Sequence, residues 1–566
     1  MILSRTAIRL VLCIAGMLAV ADGWAGDLTN RTANERHLLG ERMYREGLLP
    51  SGAPMQAYVK KDTPVPGTSF TCVSCHLRSG LGSVEGGVFT PPTNGKYLFS
   101  PQKSINLTKY AKFPAPRPVY TESSLAALLR GGVDPSGRVL DDIMPRYYLN
   151  HDDMALLVDY LKSLSNEFSP GVTNSTLRFA TVITDDVPRD KADLMFAALE
   201  RYLQHKNNMV RSYENDPRKS RMAEAMLISR EAAFKRITLS RWQLKGPPDS
   251  WRRQLEEYYR REPVFALLGG GTTGDWKPVH QFSEDNRIPC ILPMTPFPVI
   301  SESDWYTLYF SKGTFLEGEA AARYLNRLKR NNNDSAAVQI VQDTPAGRAL
   351  EKGFNQMWEE LGNPAIPTVM LRKDAPITVD ALRAIVTAHN AATALLWLEP
   401  EHMAAIGALA SSQRTPARII VSSSGIGTAL TTLDDQTRDT LMFAYPYRLP
   451  QDEASFDVYI EAMAQQLHAS DEPSRMIVKR SYIIYQILSQ ALSALKGNYY
   501  RDGLLDMLGM TMSMGGMGLN QDLVFPLYER ISFGPGQRYA SKGCYMVQLT
   551  KGASPKLVRQ SEWVVH

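Results

Sequence analysis

The chain has 566 residues, 44% of them hydrophobic and 21% charged, with a net charge of +5 at pH 7. Such a length exceeds a single compact core and points to two to four structural units. The composition excludes a disordered chain, and a small net charge without basic blocks excludes a dedicated nucleic-acid binder.

The N-terminus reads as an export signal. Arg5 and Arg9 precede an apolar run over residues 10–20, and Ala19-Val20-Ala21 forms a small-x-small cleavage site, with Gly23-Trp24-Ala25 as the alternative. The run is short for a bilayer span, and no later segment reaches that length. The expectation is a signal peptide over residues 1–21, a periplasmic protein, and no membrane span after cleavage. An uncleaved anchor is the competing reading. Of the five cysteines, Cys13 leaves with the signal. Cys290 and Cys544 stand far from the other two. In an oxidising compartment they either pair or remain two separate buried thiols.

Residues 34–165 form a loop-rich region with Pro, Gly and Ser clusters between a few helices. "ERHLLGERMYREG" is the first helix, and its Gly40 and Tyr44 lie one turn apart on one face. Next comes "CVSCH", Cys72 to His76, whose spacing serves three chemistries. A redox dithiol calls for a strand and a helix around the pair, and the surroundings are Pro- and Gly-rich instead. A zinc site needs further ligands, and only His37 and His151, both in helix patterns, are near in sequence. Covalent haem attachment needs both cysteines as thioethers and the adjacent histidine on the iron, and it is made outside the cytoplasm. A second axial ligand is then required. Met144, directly before Pro145, is the candidate, with Met55 and Met154 as rivals. The closing helix "HDDMALLVDYLKSL" sets Leu157, Tyr160, Leu161 and Leu164 on one inward face.

Gly40 and Tyr44, the Cys72/Cys75/His76 motif, the Met144-Pro145 loop and a last helix with Tyr160 resemble a class I cytochrome c over residues 34–165. The resemblance implies an all-α domain whose first and last helices cross where the glycine meets the aromatic. It implies one covalent haem c held by Cys72 and Cys75, with His76 and Met144 on the iron. It also implies a proline carbonyl bonded to the axial histidine, for which Pro91 and Pro92 are equal candidates.

A linker of Pro, Gly, Ser and Asn covers residues 166–175. Beyond it, apolar runs alternate with helical patterns: "VFALLGGGTTGDW", "IPCILPMTP", "AAVQIVQDTPAGRALEKGF", "ATALLWLEP" and "ARIIVSSSGIG". Such runs predict parallel sheets covered on both faces, with ligands bound outside the carboxyl ends of the strands. The strand-end loops 269–274, 293–296, 342–347 and 422–427 are the candidate site. The Gly269-Gly270-Gly271 run lacks the spacing of a nucleotide fingerprint. Clustered Met507, Met510, Met512, Met514 and Met517 read as packing methionines rather than a Cu(I) site. "RMAEAMLISREAAFKRITLSRWQLKG" reads as a solvated helix and a following strand, or as a docking face for an acidic redox partner.

The order of these pieces over residues 176–566 resembles the type I periplasmic binding proteins, in their leucine/isoleucine/valine-binding branch. The resemblance implies two α/β lobes with a ligand in the cleft and places carboxylate-binding hydroxyls on Thr272, Thr273 and Thr295. Ser424 stands where amino-acid binders of that family carry an acid. An unpaired ammonium in a closed cleft is costly, so an ordinary α-amino acid is disfavoured. Glu399 is the only suggested substitute partner.

The expectation is a periplasmic mono-haem cytochrome that exchanges electrons with a redox partner protein. It is fused to a small-molecule-binding module that localises or gates it. The alternative is a solute-binding protein for uptake or sensing, with an accessory haem domain. No nucleophile–base pair marks an enzyme; membership of a larger redox enzyme system stays open.

Overall fold

The computed structural model describes residues 31–565, apart from 61, 86–87, 102–116, 216–217, 219–234, 331–335, 413–415, 436, 439, 453–456, 514–526 and 535. The signal sequence, part of the basic stretch, Met514 and Met517 lie outside the described residues. No described helix is long and apolar enough to cross a membrane. The chain forms two compact units. The first takes residues up to Ser169 together with Asn498–Asp506, and the second takes Pro170–Gly497 and Met507–His566.

Among its described residues up to Ser169, the first unit carries the helices α1 (Ala33–Glu46), α2 (Cys72–His76), α3 (Gly95–Leu98), α4 (Glu122–Gly131) and α5 (His151–Ser163). Thr32 and Glu35 start α1 with a reciprocal capping box, and Gly47 at φ 70° ends it. α1 and α5 cross at Gly40. A Cβ there would lie 2.6 Å from both the Leu156 carbonyl oxygen and the Tyr160 Cβ, so only glycine permits the approach. Tyr44 and Tyr160 then pack with ring centroids 5.4 Å apart.

The unit is not all-α. β1 (Gln56–Val59), β2 (Thr63–Pro66) and β5 (Arg146–Tyr148) form an antiparallel sheet, and β3 (Ser83–Glu85) pairs with β4 (Val88–Thr90). These strands have three or four residues, too few to show a period-two pattern, and Pro64 and Pro66 mask one of them. Asn498–Asp506 completes the unit. Arg45 pairs with Asp502 at 2.6 Å, and buried Asp506 accepts from the Ser79 N–H at 2.8 Å.

Among its described residues the second unit carries two sheets. β10 (Thr307–Leu308), β9 (Cys290–Ile291), β8 (Ala266–Leu268), β6 (Thr176–Thr184) and β7 (Arg236–Leu244) lie side by side in that order, all parallel. Helices α6 (Arg189–Asn215), α7 (Trp251–Arg261) and α8 (Lys277–Asp285) lie between them in sequence. The other sheet runs β12 (Thr368–Leu371), β11 (Ala337–Gln342), β13 (Thr393–Trp397), β14 (Arg418–Ser422) and β15 (Leu441–Tyr445) in parallel. It ends in antiparallel β16 (Gly543–Leu549), which pairs with β17 (Leu557–Arg559) and β18 (Val564–Val565).

The second sheet shows why its strands read as unbroken apolar runs. Ala394 and Leu396 enter one core cluster, and Leu395 and Trp397 enter another. With both faces covered, alternation disappears. Helices α9 (Thr314–Arg330) and α10 (Pro345–Glu360) supply Ala321, Leu350 and Phe354 to the second of these clusters. Cys290 and Cys544 are free buried thiols in different cores, which removes the disulfide alternative.

Candidate functional site

The sequence candidates fall in two places. In the first unit, one helical turn sets Cys72, Cys75 and His76 at i, i+3 and i+4, on one face of α2. His76 is buried, whereas Cys75 is exposed. Burial pushes the Cys72 thiol up to about 11, against a hydrogen bond with Tyr147, whose hydroxyl is 3.8 Å from Sγ. Burial pushes the His76 imidazole down to about 4, so the ring is neutral near pH 7. Its Nδ1 lies 2.8 Å from the Pro91 carbonyl oxygen. A carbonyl brings no proton, so Nδ1–H donates, and Nε2 keeps its lone pair. Of Pro91 and Pro92, the structure gives this bond to Pro91.

The backbone beyond His76 is held from several sides. Leu77 sits at φ 65°, a conformation that costs a leucine on the order of 1 kcal/mol or more. The Tyr44 hydroxyl donates to the Leu77 carbonyl at 2.7 Å, the Gly82 N–H donates to the His76 carbonyl at 3.1 Å, and Ser83 Oγ donates to the Cys75 carbonyl at 3.1 Å. Met144 is half-buried and packs against the same core cluster as Cys72 and Val73. Met55 and Met154 are fully buried members of that cluster. The exposed apolar side chains Phe70, Val133, Val139 and Ile143 flank these two segments in the chain.

In the second unit, the candidate hydroxyls stand at the carboxyl ends of the strands. Gly270, at φ 73°, passes so close to β6 that a Cβ would meet the Val182 carbonyl at 2.0 Å, which accounts for the glycine run. The chain then presents Thr272 and Thr273 to Asp186, just beyond the end of β6. Thr272 Oγ1 donates at 2.9 Å, Thr273 Oγ1 at 2.6 Å and Thr273 N–H at 3.0 Å, all to Asp186 Oδ2. The Thr184 hydroxyl donates to Oδ1. Partial burial pushes the Asp186 carboxyl up, but these hydrogen bonds outweigh it and hold the group below its usual range. Thr295 accepts from the Phe297 N–H at 3.1 Å, a turn contact.

At the end of β14, Glu317 of α9 fills the corresponding position. Buried Glu317 accepts from Ser422 Oγ at 2.7 Å, Ser423 N–H at 2.9 Å and Ser423 Oγ at 2.7 Å. Burial pushes its carboxyl up to about 7, against those three bonds. Ser424 is turned to its own loop, with Oγ 3.1 Å from Ser422 Oγ. The Glu399 N–H donates to Gln342 Oε1 at 3.0 Å. Asp186 and Glu317 escaped the sequence reading. The "TDD" at the end of β6 is the available signal for Asp186. Glu317 is 105 residues from Ser422, with no local sign of the contact. Among the described residues, no group of three or more His, Cys, Asp or Glu could hold a metal ion.

A family model described as periplasmic binding protein matches residues 235–553, more than half of the chain. The chain belongs to the periplasmic binding protein family. This periplasmic binding protein is similar to an ABC transporter substrate-binding protein from Sphaerobacter thermophilus, at 14% identity, TM-score 0.50, covering 69% of this chain and 98% of that one. A branched chain amino acid ABC transporter from Thermus thermophilus with bound valine is 12% identical, with TM-score 0.49 and coverage of 69% and 97%. A solute binding protein from Rhodopseudomonas palustris BisB5 in complex with 3,4-dihydroxy benzoic acid is 13% identical, with TM-score 0.48 and coverage of 69% and 97%. At such identities the likeness concerns the two-lobed α/β fold. No curated protein matches the sequence. The family match starts at residue 235, so the chemistry of Cys72–His76 rests on the first unit's own residues.

Proposed function

We propose that this protein is an exported small-molecule-binding protein of the substrate-binding kind, and that its first unit carries one covalently attached haem c. The family match over residues 235–553 carries the binding half of this reading, and it favours solute binding over electron transfer as the principal role. Export to the periplasm follows the N-terminal signal pattern and the family's usual location. A ligand screen by thermal shift on the mature protein tests the binding half. A compound at one hundred times its Kd stabilises by about 2.7 kcal/mol, which the melting curve resolves. Failure of a broad metabolite library to give any saturable shift would count against binding.

The haem half is favoured by His76, whose Nδ1–H bond to Pro91 leaves Nε2 as a neutral donor. Such a bond orients a ligating ring and raises its basicity. The donor set fits haem c: Cys72 and Cys75 for the thioether links, His76 and Met144 for the iron. Bound there, haem c would supply one-electron exchange between Fe(II) and Fe(III). What the chain contributes is position. Tyr44, Ser83 and Pro91 hold the α2 turn, and the core around Met55 and Met154 backs it. In this reading a periplasmic redox partner protein exchanges the electron, and the binding module localises or gates the haem unit.

A further inference from the structure

We propose that Asp186 is an internal stand-in for a ligand carboxylate: it fills an anion receptor at the carboxyl edge of the first sheet, so the site takes uncharged or cationic ligands. This deepens the small-molecule-binding reading and rests on it.

The receptor is built. Four donors converge on one carboxylate: the hydroxyls of Thr184, Thr272 and Thr273 and the Thr273 N–H. They come from the end of β6 and from the loop after β8, segments some 86 residues apart in sequence. Such a set of hydroxyls and backbone N–H groups at strand ends is what an incoming carboxylate needs. Three of these donors bond Oδ2 and one bonds Oδ1, which leaves Oδ1 an acceptor position for a further donor. All four donors are neutral, so they hold the charge without cancelling it. A second carboxylate entering here would find its donors taken and a like charge beside it. A cation or an uncharged polar group meets neither obstacle.

The approach to Asp186 stays open. Asp186 and Thr273 are exposed, and Gly274 adds no side chain; a Cβ there would stand 3.4 Å from Asp186 Oδ2. The second sheet repeats the arrangement. The hydroxyls that close β14, on Ser422 and Ser423, are taken by Glu317. Strand-end hydroxyls of both sheets are thus satisfied by the chain's own carboxylates.

The test compares full-length mature wild type with Asp186→Gly, which removes the carboxylate and leaves the donors. Melting temperatures are read in sodium acetate and in sodium chloride of equal ionic strength. Acetate is expected to raise the Tm of the variant above its value in chloride, and to leave wild type unchanged. An acetate effect equal in both proteins, or absent from a folded variant, overturns the proposal. Wild type is also titrated with L-leucine and benzoate, and no saturable shift is expected. A saturable shift with either overturns the proposal even should Asp186→Gly fail to fold. A separate panel of cationic amines and uncharged polyols is run on wild type. If none binds, the small-molecule reading fails, while the acetate comparison still decides whether Asp186 fills an anion receptor.

Discussion

His76 donates its Nδ1–H to the carbonyl oxygen of Pro91 across 2.8 Å. The two residues are 15 positions apart, and this bond sets which ring nitrogen is free to act.

The proposed haem site has three candidate methionines, and their burial separates them. Met144 is half-buried, whereas Met55 and Met154 are 0% and 2% exposed within the core. Met144→Ala is expected to leave the haem attached and to lower its midpoint potential, because the soft thioether that favours Fe(II) is gone. Met55→Ala and Met154→Ala are expected to leave the potential in place and to cost about 2–5 kcal/mol of stability. Redox titration beside denaturant unfolding separates the two outcomes. A potential that moves with Met55 or Met154, and not with Met144, refutes the assignment.

Gly40→Ala tests the helix crossing. Alanine gains about 1 kcal/mol of helix propensity over glycine. The added methyl meets the Leu156 carbonyl at 2.6 Å, and backbone does not move aside cheaply. Overpacking of this kind costs about 1–3 kcal/mol, so net destabilisation is expected. A variant as stable as wild type would show that α1 and α5 do not meet there.

Asp506 ties the returning segment to the loop after His76 through the Ser79 N–H. Asp506→Ala leaves that buried donor unsatisfied, at a cost of about 1–3 kcal/mol. The loss is expected in the unfolding transition of the first unit, followed by near-ultraviolet circular dichroism. An unchanged transition argues against the tie.

Glu317 makes stability depend on pH. Its folded carboxyl titrates at about 7, above an ordinary glutamate near 4.5. Between those values the folded state holds the proton more tightly, so stability falls as pH rises from 4.5 through 7. The difference is on the order of 3 kcal/mol. In Glu317→Gln this part of the pH dependence is expected to vanish, as urea unfolding at pH 5 and pH 8 would show. An identical pH profile in both proteins contradicts the assignment.

Local geometry is legible in the sequence, and long-range contacts are not. The Cys72–His76 spacing, the Gly40 face and the buried strands each depend on residues within one or two turns. The short antiparallel strands around Gln56 and Arg146 were too brief to show a period. Asn498–Asp506 joins the first unit from more than 300 residues away. Family likeness makes Thr272 and Thr273 ligand contacts. Their hydroxyls are bound to Asp186, an acid whose role depends on two segments meeting in space. The loop of Ser424 lacks an acid of its own, whereas Glu317 of a separate helix bonds the neighbouring Ser422 and Ser423.

The central claim is that this binding protein carries one covalent haem on Cys72 and Cys75. The most direct measurement is the haem absorption and intact mass of the mature protein in denaturant, beside a Cys72→Ala/Cys75→Ala variant. The account predicts one haem per wild-type chain, retained on unfolding, and none on the variant. A wild-type chain without haem, or a variant that retains it equally well, would contradict the account.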